Sequence, residues 1–346
     1  MRLFPRELDI PPEEGFDPAK DIFRRQEFGS RLTTLVCQLE GPAVLVLDAP
    51  WGSGKTTFIR MWRGQLSNAG IPVIYHDAFA NDYQSDAFLA LATEIVAIAQ
   101  KELSNQTAAL RSLTGKVYKI SKILLRSGTR LASGLDAGDI QTILEEGEKS
   151  LDDLHDQLKE TEDHRVVFDE FRSTLTNLAS QLIDRTQRVE KRRPASLVFV
   201  IDELDRCRPP YALSLLEKIK HFFSVDNVIF LLPTNLQQLE TSVKAEYGAI
   251  DAHTYLEKFY HLRIAFPDIS SVPDTYLNHL YDQLLPQSNS SQAFVDSMKE
   301  ELGRIARARN LSLRTLERIV TYLALLIVHE RASPLRTGSL SLAFVH

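Results

Sequence analysis

The sequence predicts an α/β fold: a five-stranded parallel sheet, doubly wound, carrying a helical insertion and closed by a helical C-terminal portion. Three observations predict it. Five short apolar or β-branched runs (Val44–Asp48, Val73–His76, Leu197–Ile201, Val228–Leu232 and Leu262–Phe266) are separated by stretches of helical periodicity. The first of these feeds a loop of small residues that opens straight into a helical pattern. The third is apolar without a break, as a strand covered on both faces of a parallel sheet must be.

The first strand and its loop read Val44-Leu45-Val46-Leu47-Asp48-Ala49-Pro50-Trp51-Gly52-Ser53-Gly54-Lys55-Thr56-Thr57, and Phe58, Ile59, Met61, Trp62 and Leu66 continue in helical rhythm. This is the strand–loop–helix context of a phosphate-binding P-loop, or Walker A motif. Ala49 stands at the first position of G-x-x-x-x-G-K-[ST], so the match is to the relaxed pattern, and an ordinary Gly-rich strand–helix turn competes with it. In the P-loop reading Pro50 to Thr57 bind nucleotide. The N–H groups of Trp51, Gly52, Ser53 and Gly54 form an anion nest at a helix N-terminus. Lys55 reaches the β- and γ-phosphates, and the Thr56 hydroxyl ligates Mg2+.

Val73–His76 follows a helix closed by Gly70 and Pro72; His76 and Asp77 end that strand, where a capping role is the simpler one. Residues 86–103 read as an amphipathic helix. Residues 104–135 then carry Arg111, Lys116, Lys119, Lys122, Arg126 and Arg130 with no acidic residue, and 139–163 are acidic. Phe168, Phe171, Leu175, Leu178 and Leu182 alternate steps of three and four, a coiled-coil-like seam running on to Val189. The whole of 104–190 reads as a helical insertion with an antiparallel hairpin. Its basic part reads as a solvated face balancing the acidic one; contact with an anionic membrane surface, nucleic acid or a partner is the alternative.

The strand at Leu197–Ile201 ends in Asp202-Glu203, the pattern of a Walker B motif. There Asp202 would hold Mg2+ and Glu203 would orient or deprotonate the attacking water. This strand is expected beside the P-loop strand. Asp205 and Arg206 follow at once, able either to couple the site to a neighbour or to cap and pair locally, while Cys207 reads as packing. Thr234 and Asn235 end the fourth strand, where Thr234 could sense a γ-phosphate or the pair could cap the next helix. After Pro267 the chain turns helical, with helices at Phe294–Arg309 and Leu313–Val328 forming a lid over the nucleotide. Arg314 and Arg318 lie one turn apart, candidates for an arginine finger or for a solvated face.

Composition narrows the field. The 346 residues carry a net charge of −6, against a broad nucleic-acid-binding surface. Cys37 and Cys207 are too few for a disulfide framework, which suggests a reducing, cytoplasmic setting. The N-terminus has no signal-like apolar core, and the longest uncharged apolar-rich run, Ile319–Val328, is about half of the ~20 residues that span a bilayer. No integral membrane insertion is expected, and a peripheral membrane location stays open.

Asp202-Glu203-Leu204-Asp205-Arg206-Cys207-Arg208-Pro209 resembles the I-D-D-L-D-R-C-x-P signature of KAP-family P-loop NTPases, whose Walker A also carries W-G-S-G-K-T, matched by Trp51 to Thr56. Asp21 to Phe28 is similar to the family's segment near the nucleotide base, Tyr75 to Phe79 to its second-strand end, and Tyr255-Leu256-Glu257-Lys258-Phe259 to its Y-L-x-K-F element. Leu313 to Arg318 is similar to its late R-x-x-x-R helix. Glu203 replaces the more usual second Asp, and Pro233-Thr234-Asn235 stands where many members have Asp-Arg.

The resemblance implies a P-loop NTPase core binding ATP, or another NTP, with Mg2+. Lys55, Asp202, Glu203, Thr234 and Arg314 then form the catalytic set, with Thr56 and Asp202 on the metal. It divides the chain into 1–103 and 191–267 as core, 104–190 as insertion and 268–346 as C-terminal helical subdomain. It implies a hydrolysis-driven conformational or assembly switch, with self-association or a protein partner governed by nucleotide state, and the family's links to phage exclusion suggest anti-phage defence. A nucleotide-dependent scaffold with little turnover is the alternative, and a small-molecule kinase is disfavoured by the distance between Lys55 and Asp202.

Overall fold

A computed structural model of the chain describes residues 8–84, 86–102, 112–120, 151–186, 196–268, 274–284, 292–309 and 311–332. In chain order the elements are α1 (Gln26–Gln38), β1 (Ala43–Asp48), α2 (Lys55–Asn68), β2 (Val73–Asp77), α3 (Ala87–Glu102), α4 (Leu151–Thr186) and β3 (Leu197–Asp202). Then follow α5 (Pro209–Lys218), β4 (Val228–Thr234), α6 (Leu236–Tyr247), α7 (Ala252–Leu256), β5 (Leu262–Ala265), α8 (Asp274–Leu284), α9 (Gln292–Arg309) and α10 (Leu313–Ala332).

The five strands form one parallel sheet in the order β2-β3-β4-β1-β5. The strand that ends in Asp202 was expected next to β1, and it is not there. β4 lies between them, pairing with β1 through Asp48↔Thr234 and with β3 through Val200↔Leu231. Both β3 and β4 are buried along their whole length, so either could have filled the central place. The consequence is chemical: the end of β4, with Thr234, sits between the phosphate loop and the Asp202 turn. β5 is a strand as expected, and it forms a largely exposed edge of the sheet.

One layer of core lies between the sheet and α1 and α2, where Trp62, Phe58, Ile59 and Leu66 are fully buried against Leu45, Leu47, Val198 and Leu231. Burying one such side chain stabilises by roughly 1.5–3 kcal/mol, so this layer fixes where the loop before α2 can go. Trp62 Nε1 donates to Gly29 O (3.1 Å) and Thr33 Oγ1 (3.0 Å), locking α2 to α1. The opposite layer holds α3, α5 and α4. The seam Phe171, Leu175, Leu178 and Leu182 is buried there, but against this core and not against a coiled-coil partner, with Phe171 ringed by Phe88 and Phe223.

Of the basic stretch 104–135, only 112–120 is described. It is helical, buries Leu113, Val117 and Ile120 against α4, and sets Lys116 Nζ 2.7 Å from Thr174 Oγ1 and 3.9 Å from Glu170. Glu170 lies beyond the acidic stretch 139–163; the rest of the basic stretch, the expected hairpin and the seam's end at Val189 lie outside the described residues. Helices α8, α9 and α10 build a separate small core around Tyr281, Leu280, Leu316 and Val320. No described helix is long and apolar enough to cross a membrane.

Gly64, midway along α2, faces Gly15 so closely that a Cβ there would stand 2.1 Å from the Gly15 backbone nitrogen. Backbone cannot yield as a side-chain tip can. Gly64→Ala is therefore expected to destabilise by about 1–3 kcal/mol and to free the segment before α1. Thermal denaturation and limited proteolysis check it; an unchanged Tm would show the segment to be loosely held.

Candidate functional site: the phosphate loop and its surroundings

The site begins with the way α2 starts. Its N-cap is Gly54 in the left-handed region (φ +81°), with no side chain capping the first turn. The first N–H groups of a helix lacking such a cap need another acceptor, and together with the helix dipole they favour an anion. Gly52 is also left-handed (φ +76°), which bends the loop back over that helix end. Both glycines are closely covered: a Cβ on Gly52 would meet Ser312 and Arg314 at 3.3 Å, and one on Gly54 would meet Arg25 at 3.0 Å. The Ser53 hydroxyl is buried without a partner among the described residues.

Lys55 is buried at the first position of α2, its Nζ donating to Ala49 O (2.5 Å) and Pro50 O (3.2 Å). Pro50 itself contributes that carbonyl and does not line the cavity described below. Burial pulls the Lys55 ammonium below its ordinary range, opposed by Asp205, then Asp202 and Asp48. A buried cation that, among the described residues, donates only to two carbonyls is suited to receiving phosphate.

Asp202 ends β3 buried. Its Oδ1 accepts from Glu203 N (2.9 Å) and its Oδ2 from the Tyr75 hydroxyl (3.2 Å). Burial pushes its carboxyl above the usual range in spite of those bonds. Tyr75, which sequence reasoning did not single out, is itself covered by the Arg63 guanidinium 4.5 Å from its ring centre. Glu203 is a non-glycine residue in the left-handed region (φ +60°), a conformation that costs of order 1–3 kcal/mol and collects at functional sites. The strain turns its carboxylate into the cavity, where Arg206 Nη1 holds it at 3.0 Å. Burial raises the Glu203 pKa and Arg206 lowers it.

Thr234 ends β4 opposite Asp48, fully buried, with Oγ1 unpartnered among the described residues. It lies behind the cavity wall, which Pro233 lines. The helix cap is Asn235, whose side chain accepts Gln238 N (3.4 Å), so the Thr234 hydroxyl is not used for capping. Arg314 lines the cavity beside Gly52 and Arg318 does not. Leu313 N donates to Gly52 O (3.3 Å), bringing the start of α10 onto the loop tip. His76 is buried with Nδ1 3.5 Å from Glu94, Asp77 caps the next turn through Ala80 N (2.8 Å), and Cys207 is a buried thiol.

A cavity of about 410 Å³ joins these parts. Its polar end is formed by Trp51 to Thr57, Asp202, Glu203, Asp205 and Arg206. Its apolar end is formed by Ile10, Ile22 and Phe23 ahead of α1 and by Tyr276 and Leu280 of α8, with Phe23 and Tyr276 5.4 Å apart. Arg25 stands over the Phe266 ring at 4.1 Å, bonded to Gly54 O (3.4 Å), its pKa pulled down to about 10 by burial. The α8 residues carry no local motif, and only the packing of the C-terminal helices brings them here.

The sequence model for the KAP family P-loop domain matches residues 25–329. The chain belongs to this family. Its sheet and phosphate loop are those of a nucleotide-binding P-loop NTPase fold. No curated protein matches the chain. Among solved structures, the ORC2 protein of Aeropyrum pernix, in ADPNP and ADP complexes, is similar at 11% identity with a TM-score of 0.38. That match covers 89% of this chain and 64% of the other, so the KAP chain spans just under two thirds of its length.

Among the described residues no three His, Cys, Asp or Glu side chains converge as a metal cluster. Thr56 and Asp202 supply two oxygen donors at the polar end. That set suits a Mg2+ completed by phosphate and water and does not suit zinc.

Proposed function

We propose that this KAP-family chain is a Mg2+-dependent nucleoside triphosphatase, with ATP as substrate, whose hydrolysis drives a conformational or assembly switch. The observation that carries the reading is the single cavity that Thr56 of the phosphate loop and Asp202 at the end of β3 both line. A loop hydroxyl and a strand-end carboxylate facing one cavity are the pair that joint ligation of a cation requires. Thr56 and Asp202 would hold Mg2+, which would supply neutralisation of phosphate charge. The N–H groups of Gly52 to Thr56 and the Lys55 ammonium hold the phosphates, and Glu203 takes the proton of the attacking water. Arg314 lines the cavity on the side of the γ-phosphate while Thr234 lies behind its wall at Pro233, and the apolar end between Phe23 and Tyr276 takes the base. The bond between Leu313 N and Gly52 O gives α10 a direct link to loop geometry, a route by which nucleotide state reaches the C-terminal helices. A role in anti-phage defence rests on the family resemblance alone. Phosphate release from ATP, measured with Mg2+ and with EDTA, tests the proposal; Mg2+-independent or absent release by a protein that binds ATP overturns hydrolysis.

That last outcome is the second reading, a nucleotide-gated scaffold, and the Glu203–Arg206 ion pair favours it by occupying the carboxylate. The pair also makes a pH prediction. Glu203 accepts a proton only when ionised, so turnover rises with pH through its pKa, which burial holds above 4.5 and Arg206 pulls down. Arg206→Gln removes the lowering influence, so the acid limb of kcat is expected to move to higher pH. Profiles of kcat against pH for both proteins check this; coincident limbs would show that another group sets the limb.

A further inference from the structure

We propose that Asp205 is a positioning residue that ties the tip of the phosphate loop to the sensing end of β4. The sheet order creates the need. With β4 between β1 and β3, the loops after β1 and β3 share no strand pairing, and something else must fix one against the other. Asp205 lies in the single 3-10 turn Leu204–Arg206 that follows Glu203, and it is only 8% exposed. One oxygen, Oδ2, accepts from Trp51 Nε1 at 2.7 Å and from Asn235 N at 2.8 Å. Three segments that carry the chemistry thus meet on one carboxylate.

The donors are informative. An indole N–H can only donate. The Trp51 ring is 41% exposed, so packing does not hold it; the bond to a buried carboxylate does, and bonds to charged groups are the strong class. Trp51 immediately precedes Gly52, whose left-handed turn shapes the nest. Asn235 N belongs to the peptide directly after Thr234, whose buried hydroxyl has no partner among the described residues. Fixing both ends sets the distance between nest and hydroxyl before any phosphate arrives. Asp205 is also the acidic group that raises the Lys55 ammonium most, ahead of Asp202 and Asp48.

The inference rests on the nucleotide reading above, and the test separates the two. The full chain is compared with Trp51→Phe, Asp205→Asn, Asp205→Ala and the Trp51→Phe/Asp205→Ala double variant, using ATP with Mg2+ in calorimetry. Trp51→Phe breaks the indole bond alone and Asp205→Ala breaks that bond and the one from Asn235 N, so Asp205→Ala is expected to raise Kd about tenfold, Trp51→Phe by less, and the double variant no further than Asp205→Ala. Asp205→Asn keeps an oxygen acceptor but loses the charge, so its Kd is expected to fall between those of the parent and Asp205→Ala. Without nucleotide, Asp205→Ala is expected to shift tryptophan emission to longer wavelength as Trp51 is released. Trp62, fully buried, supplies a constant background. Effects that multiply in the double variant, or an emission unchanged in Asp205→Ala, overturn the positioning role while nucleotide binding stands. A parent chain that binds no ATP brings down both.

Discussion

Lys55→Ala is expected to weaken ATP binding by at least tenfold while leaving the free protein folded. In the free state the ammonium is buried and, among the described residues, donates to Ala49 O and Pro50 O, and burial already pulls its pKa down. A charge in that setting is a burden on the free protein, so its removal is expected to cost the fold little. With nucleotide the same ammonium bonds to phosphate oxygens, each charge-assisted bond contributing about 1.5–3 kcal/mol, or roughly ten- to hundredfold in Kd. The variant should therefore melt within a few degrees (~3 °C) of the parent without ligand and lose the rise in Tm that ATP with Mg2+ gives the parent. Calorimetric affinity equal to the parent's would remove the phosphate-loop assignment itself.

Much of this site was legible because its parts are local. The run Val44–Asp48, the loop to Thr57 and the helix after it form one continuous stretch, and Asp202-Glu203 ends a strand whose unbroken apolarity announces its burial. Strand order was not legible. β3 and β4 read as the same kind of segment, and only the paths of the connecting helices decide which of them lies beside β1.

The contacts that tune the site were hidden for the same reason. Trp51 meets Asp205, and Tyr75 meets Asp202, across more than a hundred residues of chain. Arg25 lies in the segment that the resemblance places near the base, but Tyr276 looks like an ordinary helix residue until α8 packs around the loop. Arg314 and Arg318 shared one motif, and the fold separates them: the start of α10 touches Gly52, so the first faces the cavity and the second points away.

Glu203→Gln is expected to leave ATP affinity near the parent's and to lower kcat by about 10²-fold or more, the usual worth of a positioned general base. Its carboxylate makes no contact with the nest or with Lys55; its partner is Arg206 at 3.0 Å, and Gln can still accept from that guanidinium. Side-chain volume is unchanged, so the left-handed turn at φ +60° carries the same strain and Asp202 keeps its bond from the residue-203 N–H. What changes is basicity. An amide cannot take a proton from water, so the loss falls on the transition state and leaves the resting complex as it was. A trapped, ATP-loaded protein is the expected product, and if turnover drives the switch, it should accumulate in the ATP-bound arrangement of α10. Calorimetry and single-turnover kinetics on the variant distinguish the outcomes. Parental turnover would move the base to another residue, and loss of binding would show that Glu203 serves the fold of the turn and not the water.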